Sequence, residues 1–320
     1  MRTILSCVWS RAVRHAVLLV LFAGVLVGSV AGCRDEGATG DAEVTAVATT
    51  TQVADLVRNV GGPRVSVDGI LRPNSDPHEY EPRPSDAASL ARADLVFRSG
   101  GDLDEWLDEI IDNAGGDARQ VTLIDSVHTI EGEGETDPHW WQNPRNTILA
   151  VGAVRDALAK ADPGGRRSYQ RRAAAYVEKL RKLDAGIADC VGRVPPDKRK
   201  IVTTHDALGY FADRYRVTVT GAVIPSLSTQ AQASARDVDK LVEQIRGERV
   251  EAIFPEASLT QKLEQAISRE AGAKVGGKLY ADTLGPEGSG ASTYLDATRH
   301  NAAELVDGMS GGRVSCDLPG

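Results

Sequence analysis

Residues 166–190 read RRSYQRRAAAYVEKLRKLDAGIADC, and they decide the fold because they predict one uninterrupted helix in the middle of the chain. The stretch has no interior proline, its apolar residues recur at helical spacing, and it stops before Pro195 and Pro196. A helix of about 25 residues would be close to 40 Å long. We therefore expect a rigid linking helix over about 165–191, with a folded lobe on either side of it.

On both sides of this helix, short apolar strands alternate with longer helices. Before it, the predicted strands are 44–49, 64–70, 94–97 and 121–125, and the predicted helices are 52–60, 84–93, 102–114 and 144–161. After it, the predicted strands are 201–204, 217–223, 250–254 and 274–280, and the predicted helices are about 205–214, 234–246, 259–271 and 293–309. This alternation is typical of a parallel sheet covered on both faces. The fold class is therefore α/β, with two similar lobes, each a mostly parallel sheet flanked by helices.

The N-terminal residues 1–32 have the three regions of an export signal. Basic residues precede an uncharged apolar run, 16–30, which ends in small residues. A permanent transmembrane anchor is the alternative, but this run is short for a span of about 20 residues. The sequence VAGC at 30–33 resembles the bacterial lipobox, in which the cysteine is lipid-modified and becomes the first mature residue. Cys33 is then the membrane anchor point.

The predicted division of the chain follows from these patterns. It comprises a lipoprotein signal peptide at 1–32, a flexible tether at 33–43, an N-terminal lobe at 44–164, the linking helix at 165–193 and a C-terminal lobe at 194–320. Removal of the signal leaves 34 basic and 45 acidic residues, so the net charge changes from -8 to -11. An acidic exported protein is a poor candidate for binding nucleic acid and a reasonable one for binding cations.

Two of the four cysteines remain once the signal and the anchor are set aside. Cys7 leaves with the signal and Cys33 is the lipidation candidate, so Cys190 and Cys316 form one even pair. An oxidising compartment favours a disulfide between them, and two free thiols are the alternative.

Several candidate metal ligands follow predicted strands, directly or after a loop. They are His78, His139, His205, Glu256 and Asp282. In open α/β sheets ligands bind beyond the carboxyl ends of the strands, so residues of both lobes can meet in the cleft between them. Three imidazoles and a carboxylate are a set that Zn²⁺ uses in tetrahedral geometry. A single histidine after a strand more often has a structural role, so the prediction depends on the group rather than on any one member.

Four segments, in order, resemble the signatures of a known family. They are DPHEYEPRPSD at 76–86, DPHWWQNPRN at 137–146, THDALGYFADRY at 204–215, and the segment 280–309, which begins YADTLG. The series is similar to that of the zinc/manganese-binding lipoproteins of ATP-driven importers, the cluster A-I solute-binding proteins. It extends over about 44–310, nearly the whole mature chain.

The resemblance implies two α/β lobes joined by one long helix, with a metal site in the cleft between the lobes. It also implies that the four metal ligands are His78, His139, His205 and Asp282. In that family the third position is Glu in manganese-type members and His in zinc-type members. His205 therefore favours Zn²⁺, with Mn²⁺ as the alternative, because an extra carboxylate would favour Mn²⁺.

The sequence departs from the family pattern in places. Zinc-specific members often carry a long His-rich acidic loop before the second ligand, whereas 126–137 contains only His128 and is interpreted as a solvated acidic loop. Gln232 and Ala233 replace a Glu-Pro pair of many relatives. These differences bear on metal preference more than on metal binding.

Other residues near the candidate ligands receive supporting roles. Glu79 and Glu256 are predicted to orient ligand imidazoles rather than to bind the ion themselves. Trp140 and Trp141 are predicted to wall the cleft and exclude water.

The leading hypothesis is an exported, lipid-anchored, monomeric receptor that binds Zn²⁺, or alternatively Mn²⁺, and passes it to the permease and cytoplasmic ATPase of an ABC importer. The rival from another class is a secreted zinc hydrolase. Catalytic zinc usually keeps an open position that four protein ligands would fill, and the sequence has no HExxH or GxSxG motif. We therefore do not expect an enzyme. A binder of organic solutes or an adhesin on the same scaffold is a third hypothesis, since fold does not fix function.

Overall fold

The structure is a computed structural model that describes residues 42–114, 117–132 and 134–318. The predicted signal peptide, Cys33 and all of the predicted tether except its last two residues lie outside this range. Within the described residues, no helix combines the length and the apolar character needed to cross a bilayer.

Within the described part of the chain, the strands form two four-stranded sheets and one short hairpin. They are β1 (Val44–Ala48), β2 (Val65–Gly69), β3 (Leu95–Arg98), β4 (Arg119–Thr122), β5 (Glu131–Gly132), β6 (Glu135–Thr136), β7 (Lys200–His205), β8 (Thr218–Ile224), β9 (Ala252–Phe254) and β10 (Lys274–Val275). The first sheet has the order β2-β1-β3-β4 and the second the order β10-β9-β7-β8. Every pair within these two sheets is parallel, whereas β5 and β6 pair antiparallel.

Helices connect the strands of each sheet and cover their faces. The α-helices of the described residues are α1 (Thr51–Gly61), α2 (Pro84–Leu90), α3 (Trp106–Ala114), α4 (Pro144–Ala161), α5 (Arg166–Gly192), α6 (Gly209–Tyr215), α7 (Ala235–Glu248), α8 (Lys262–Ala271) and α9 (Tyr294–Ser310). The predicted α/β class, with two parallel sheets and one long helix between them in the chain, is confirmed.

The linking helix α5 has 27 residues and a length of about 40 Å. Its buried face carries Tyr169, Tyr176, Leu180 and Ile187, all of them in the hydrophobic core. The helix packs against α1 and α4, which flank the first sheet, and against α6 and α9, which flank the second. It therefore gives both sheets one common support.

Asp184, on the buried side of this helix, ties together helices from both halves of the chain. Its carboxylate accepts hydrogen bonds from Arg145 in α4 at 3.2 Å and from Arg214 in α6 at 2.8 and 2.7 Å. The Tyr215 hydroxyl donates a further bond at 3.0 Å. Burial raises the pKa of Asp184, but the guanidinium groups of Arg214 and Arg145 outweigh burial and hold that pKa below its usual value. The charge of one carboxylate thus fixes α4 and α6 to the same helix.

One hydrophobic core runs across both sheets. It contains Phe97 of β3 and Phe254 of β9, together with side chains of α5. Because this core is continuous, the described residues form one compact unit rather than two. The residue boundaries predicted for the two lobes therefore stay predictions.

Three helices begin three or four residues later than the sequence pattern predicts, and one of them is α8, which begins at Lys262 instead of 259. Helix α3 begins at Trp106 instead of 102, because Asp104 accepts hydrogen bonds from the Thr49 hydroxyl at 2.7 Å and the Ser99 amide at 2.6 Å. These bonds hold the preceding residues against the end of the sheet. Helix α6 begins at Gly209, because His205, its predicted first residue, still belongs to β7 and pairs with β8.

Two strands differ from their predicted ranges by three or more residues at one end. The strand predicted at 121–125 is β4, shifted toward the N-terminus, and the strand predicted at 274–280 is regular only over β10. A Cβ at Gly276 would lie 2.8 Å from the ring of Phe254, and a Cβ at Gly277 would collide with Glu304 of α9. The two glycines let the chain pass close to both groups, and pairing resumes only as a single bridge from Leu279.

A disulfide closes the C-terminal end of the fold. Cys190, buried near the end of α5, is bonded to Cys316, which follows α9, across 126 residues of sequence. Such a bond restricts a long loop of the unfolded chain. The pairing expected from the cysteine count is therefore present.

We expect replacement of both cysteines by serine to lower the free energy of unfolding by about 2–5 kcal/mol, because the unfolded chain then regains the freedom of that loop. The measurement is urea unfolding of a chain that begins at residue 34, with and without reductant. Reductant should destabilise the unsubstituted chain and leave the double variant unchanged. Equal stability of the oxidised and reduced forms would contradict this account.

Candidate metal site

Four candidate ligands lie beyond the carboxyl ends of strands in both sheets, or at such an end. His78 follows β2, His139 follows β4 and the hairpin, His205 is the last residue of β7, and Asp282 follows β10. In a parallel sheet these ends share one edge, and the two edges face a common cleft. The structure thus brings together residues that are far apart in the sequence, and their possible ligand atoms all lie within 4.8 Å of one another.

Four of the distances within this cluster match the edges of a tetrahedron around a small ion. His205 Nε2 lies 3.3 Å from His139 Nε2 and 3.1 Å from Asp282 Oδ2. His78 Nε2 lies 3.4 Å from Asp282 Oδ2, and His139 Nε2 lies 3.4 Å from Asp282 Oδ1. Four ligands at about 2.0–2.1 Å from Zn²⁺ would be separated by about 3.3–3.4 Å along the edges of a tetrahedron. His139, His205 and Asp282 are therefore already spaced for one small cation, and His78 lies within 4.8 Å of each of them.

Burial and missing partners give a second reason to regard the cluster as a cation site. His139, His205 and Asp282 are at most 2% exposed, and the side chain of His78 is 8% exposed. Among the described residues, His78 Nε2 and both carboxylate oxygens of Asp282 are buried without a hydrogen-bond partner. Buried polar atoms are normally paired, so three such atoms facing each other indicate a ligand.

Opposite pKa shifts within the cluster show where its charges lie. Burial lowers the pKa of His205, but the carboxylates of Glu256 and Asp282 outweigh burial and raise it well above its usual value. Burial raises the pKa of Asp282, but His205 and His139 outweigh burial and hold that pKa well below its usual value. Asp282 is therefore ionised, as cation binding requires. A cation must displace the proton that His205 holds.

Two further carboxylates orient the deeper imidazoles. Asp137 Oδ1 lies 2.8 Å from His139 Nδ1 and accepts the His139 amide at 2.9 Å. Glu256 Oε1 lies 2.6 Å from His205 Nδ1 and accepts the His205 amide at 3.2 Å. A carboxylate on Nδ1 fixes the tautomer that leaves Nε2 free for a metal. Both imidazoles are therefore held with Nε2 toward Asp282.

Of the two supporting carboxylates predicted from the sequence, only Glu256 reaches the site. Glu79 is exposed and makes no hydrogen bond to a ligand histidine among the described residues. Sequence reasoning missed Asp137, although the tripeptide Asp-Pro-His occurs at both 76–78 and 137–139. In each copy the aspartate accepts the histidine amide at 2.9 Å, so the repeat is the signal that could have found it.

The two tryptophans that follow His139 are buried and join its segment to other parts of the site. The Trp141 indole donates to the Ala281 carbonyl at 2.9 Å, and the Gln142 amide donates to the same oxygen at 2.8 Å. Trp140 donates to the Ser99 hydroxyl at 3.1 Å. The residue before Asp282 is therefore anchored to the residues after His139.

A cavity of about 330 Å³ opens beside His78. Its wall includes the acidic residues Asp102, Glu105 and Glu135, together with Trp106. Repulsion from Asp102, the largest effect, raises the pKa of Glu105. The approach to the site is thus negatively charged, as suits a cation. His128 is exposed and lies outside the cluster of four ligands.

Comparisons with known proteins give a family and a fold. The model of a family described as ZnuA, zinc-uptake complex component A periplasmic, matches residues 46–308. The chain is 32% identical over 294 residues to the manganese-binding lipoprotein MntA of Halalkalibacterium halodurans, with 91% of this chain and 97% of that protein covered.

Two solved structures match closely in shape. The periplasmic zinc binding protein TroA from Treponema pallidum superposes with a TM-score of 0.78 at 30% identity, covering 83% of this chain and 99% of that one. The cadmium-bound periplasmic metal binding protein from Candidatus Liberibacter asiaticus gives a TM-score of 0.77 at 25% identity, with the same coverage. The resemblance found in the sequence is confirmed, while the metals in these names differ.

We expect Asp137→Asn and Glu256→Gln each to weaken binding of Zn²⁺ by about 10–100-fold, because each removes the charge that orients a ligand imidazole. The measurement is competition with a chromophoric chelator. Glu79→Gln is the matched control, since Glu79 neighbours His78 but is exposed, and it should bind as the unsubstituted protein does. Unchanged affinity in both test variants would contradict the supporting roles.

Proposed function

This chain belongs to the zinc-uptake complex component A family, and we propose that it is an extracytoplasmic receptor that binds Zn²⁺ and delivers it to an ABC importer. The observation that carries the proposal is the buried cluster of His78, His139, His205 and Asp282, whose possible ligand atoms all lie within 4.8 Å of one another. The cation is cargo, so the site must both bind and release it.

Zn²⁺ is proposed over Mn²⁺ because three of the four candidate ligands are imidazoles. Imidazole ligands suit Zn²⁺, whereas carboxylate and water ligands suit Mn²⁺. Two relatives support Mn²⁺ as the alternative ion. The proteins from Halalkalibacterium halodurans and Bacillus subtilis are each 32% identical to this chain, and both are named manganese-binding lipoproteins. Both carboxylate oxygens of Asp282 face the histidines, so the site could also offer a fifth ligand atom.

Anchoring and partners follow from the family together with the N-terminal sequence. The relatives named above are lipoproteins, and VAGC at 30–33 matches the signal for lipid attachment at Cys33. We infer that the protein is a monomer tethered to the outer face of the membrane. A permease and a cytoplasmic ATPase are the implied partners.

The geometry favours binding over catalysis. Catalytic zinc keeps an open position for water, whereas four side chains would complete a tetrahedral shell here. Membership of an uptake family agrees with the expectation that the chain is not an enzyme. An organic anion is also disfavoured as cargo, because the cavity beside His78 is lined by carboxylates.

We expect alanine substitution of any one of the four ligands to weaken Zn²⁺ binding by about 100-fold or more, because the ion loses a ligand that no other side chain replaces. Elemental analysis of the purified chain from residue 34, followed by Zn²⁺/Mn²⁺ competition titration, measures both content and preference. His128→Ala is the matched control and should bind normally. Tight binding retained in the His78 and His205 variants would overturn the site, and preference for Mn²⁺ would overturn the proposed ion.

We expect Zn²⁺ affinity to fall as the pH is lowered, because a proton on His205 competes with the ion. The pKa of this imidazole is raised in the metal-free protein, so competition begins above the usual histidine range and grows to about tenfold per pH unit below that pKa. Isothermal titration at about pH 7.5 and about pH 5 is the measurement. Equal affinity at the two pH values would contradict the ligand assignment.

A further inference from the structure

The loop between β8 and α7, residues 225–234, contacts the segment that carries His78. We call this loop the clasp loop. Its Thr229 is buried, and its Gln230 is exposed beside the cavity next to His78. The contact joins residues more than 150 positions apart and connects the second sheet to the ligand segment of the first.

Asp76 connects the clasp loop to the amide of His78. Its Oδ1 accepts the His78 N–H at 2.9 Å, and its Oδ2 accepts the Thr229 hydroxyl at 2.7 Å. Gln230 Nε2 donates to the carbonyl oxygen of His78. Both backbone groups of His78 are thus held from the clasp loop, one directly and one through a carboxylate.

This arrangement differs from that of the other two histidines. The rings of His139 and His205 each have a carboxylate at Nδ1 from their own half of the chain. Among the described residues, no carboxylate lies at Nδ1 of His78 in the same way. Its position therefore depends on its backbone, which the clasp loop fixes.

The clasp loop also forms part of the path to the site. Leu227, Ser228 and Gln230 line the cavity that opens beside His78. Leu227 packs against the hairpin, where a Cβ at Gly132 would lie 3.1 Å from the leucine side chain. Displacement of the loop would therefore break its hydrogen bonds to Asp76 and to the His78 carbonyl and widen the opening at the same time.

We propose that Thr229 and Gln230 are positioning residues that hold His78 on the bound cation, so that release of the ion requires the clasp loop to detach. This inference rests on the proposed function and adds the contact that governs retention of the ion. Since the clasp loop joins the two halves of the cleft, a partner that separates them would break the hydrogen bonds of Thr229 and Gln230 to the His78 segment. Retention and delivery would then depend on the same hydrogen bonds.

The test compares Thr229→Val, which keeps the shape and removes the hydroxyl, with Thr229→Ser, which restores a hydroxyl. Zn²⁺ is loaded and its release to excess chelator is followed by stopped flow. Thr229→Val should release Zn²⁺ about tenfold faster, since a hydrogen bond to a charged group is lost. Thr229→Ser should return the rate toward that of the unsubstituted chain, and the melting temperature of the metal-free protein should change little.

A second pair of variants keeps the test valid if Thr229→Val fails to fold. Gln230→Leu should also accelerate release, whereas Gln232→Leu, an exposed glutamine of the same loop, should not. The visible spectrum of the Co²⁺ form should change with Gln230→Leu and stay constant with Gln232→Leu. If the unsubstituted chain binds Zn²⁺ tightly but neither Thr229→Val nor Gln230→Leu changes the release rate, the proposed role of the clasp loop is overturned and the proposed function is not. Failure of the unsubstituted chain to bind Zn²⁺ would overturn both the proposed function and the proposed role of the clasp loop.

Discussion

The buried carboxylate of Asp282 is the interaction on which the site depends. An ionised group inside a protein costs several kcal/mol unless opposite charges and hydrogen bonds compensate it. Here three imidazoles face the carboxylate, at 3.1–3.4 Å, and neither oxygen has a hydrogen-bond partner among the described residues. A divalent cation at the centre would supply the missing charge. In the metal-free protein the carboxylates of Glu256 and Asp282 outweigh burial and raise the pKa of His205, which favours a positive charge on that imidazole.

The fold supplies the precision that such a cluster needs. Asp282 and His205 come from the second sheet, whereas His78 and His139 come from segments that follow strands of the first. Their mutual positions therefore depend on how the two sheets are held. The linking helix α5, the shared core and the contacts of Trp141 and Gln142 with the Ala281 carbonyl all hold them together. The His78 segment is attached to the second half through Asp76 and the clasp loop, and also through Asn74, whose amide donates to Thr283 Oγ1 at 2.9 Å.

Sequence patterns predicted most of this framework. Strand and helix alternation predicted both parallel sheets, and an uninterrupted helical pattern predicted α5 to within one residue at each end. Positions after the strands indicated five candidate ligands. The family resemblance then implied which four of them bind the ion. The repeated Asp-Pro-His tripeptide could have indicated a role for Asp137. Only the structure shows that its carboxylate contacts the His139 ring.

Other features could not be predicted because they depend on contacts between distant residues. Gly276 and Gly277 end β10 early because Phe254 and α9 pass close by, which no local pattern records. The bond between Asp76 and Thr229 likewise joins positions 153 residues apart. The structural propensities of individual residues cannot predict such contacts, because tertiary packing determines them.

X-ray absorption spectroscopy of the zinc-loaded protein tests the central claim most directly. We expect a first shell of three imidazole nitrogens and carboxylate oxygen at about 2.0–2.1 Å, with the outer-ring scattering that imidazoles produce. A shell with sulfur, or with one imidazole or none, would contradict it.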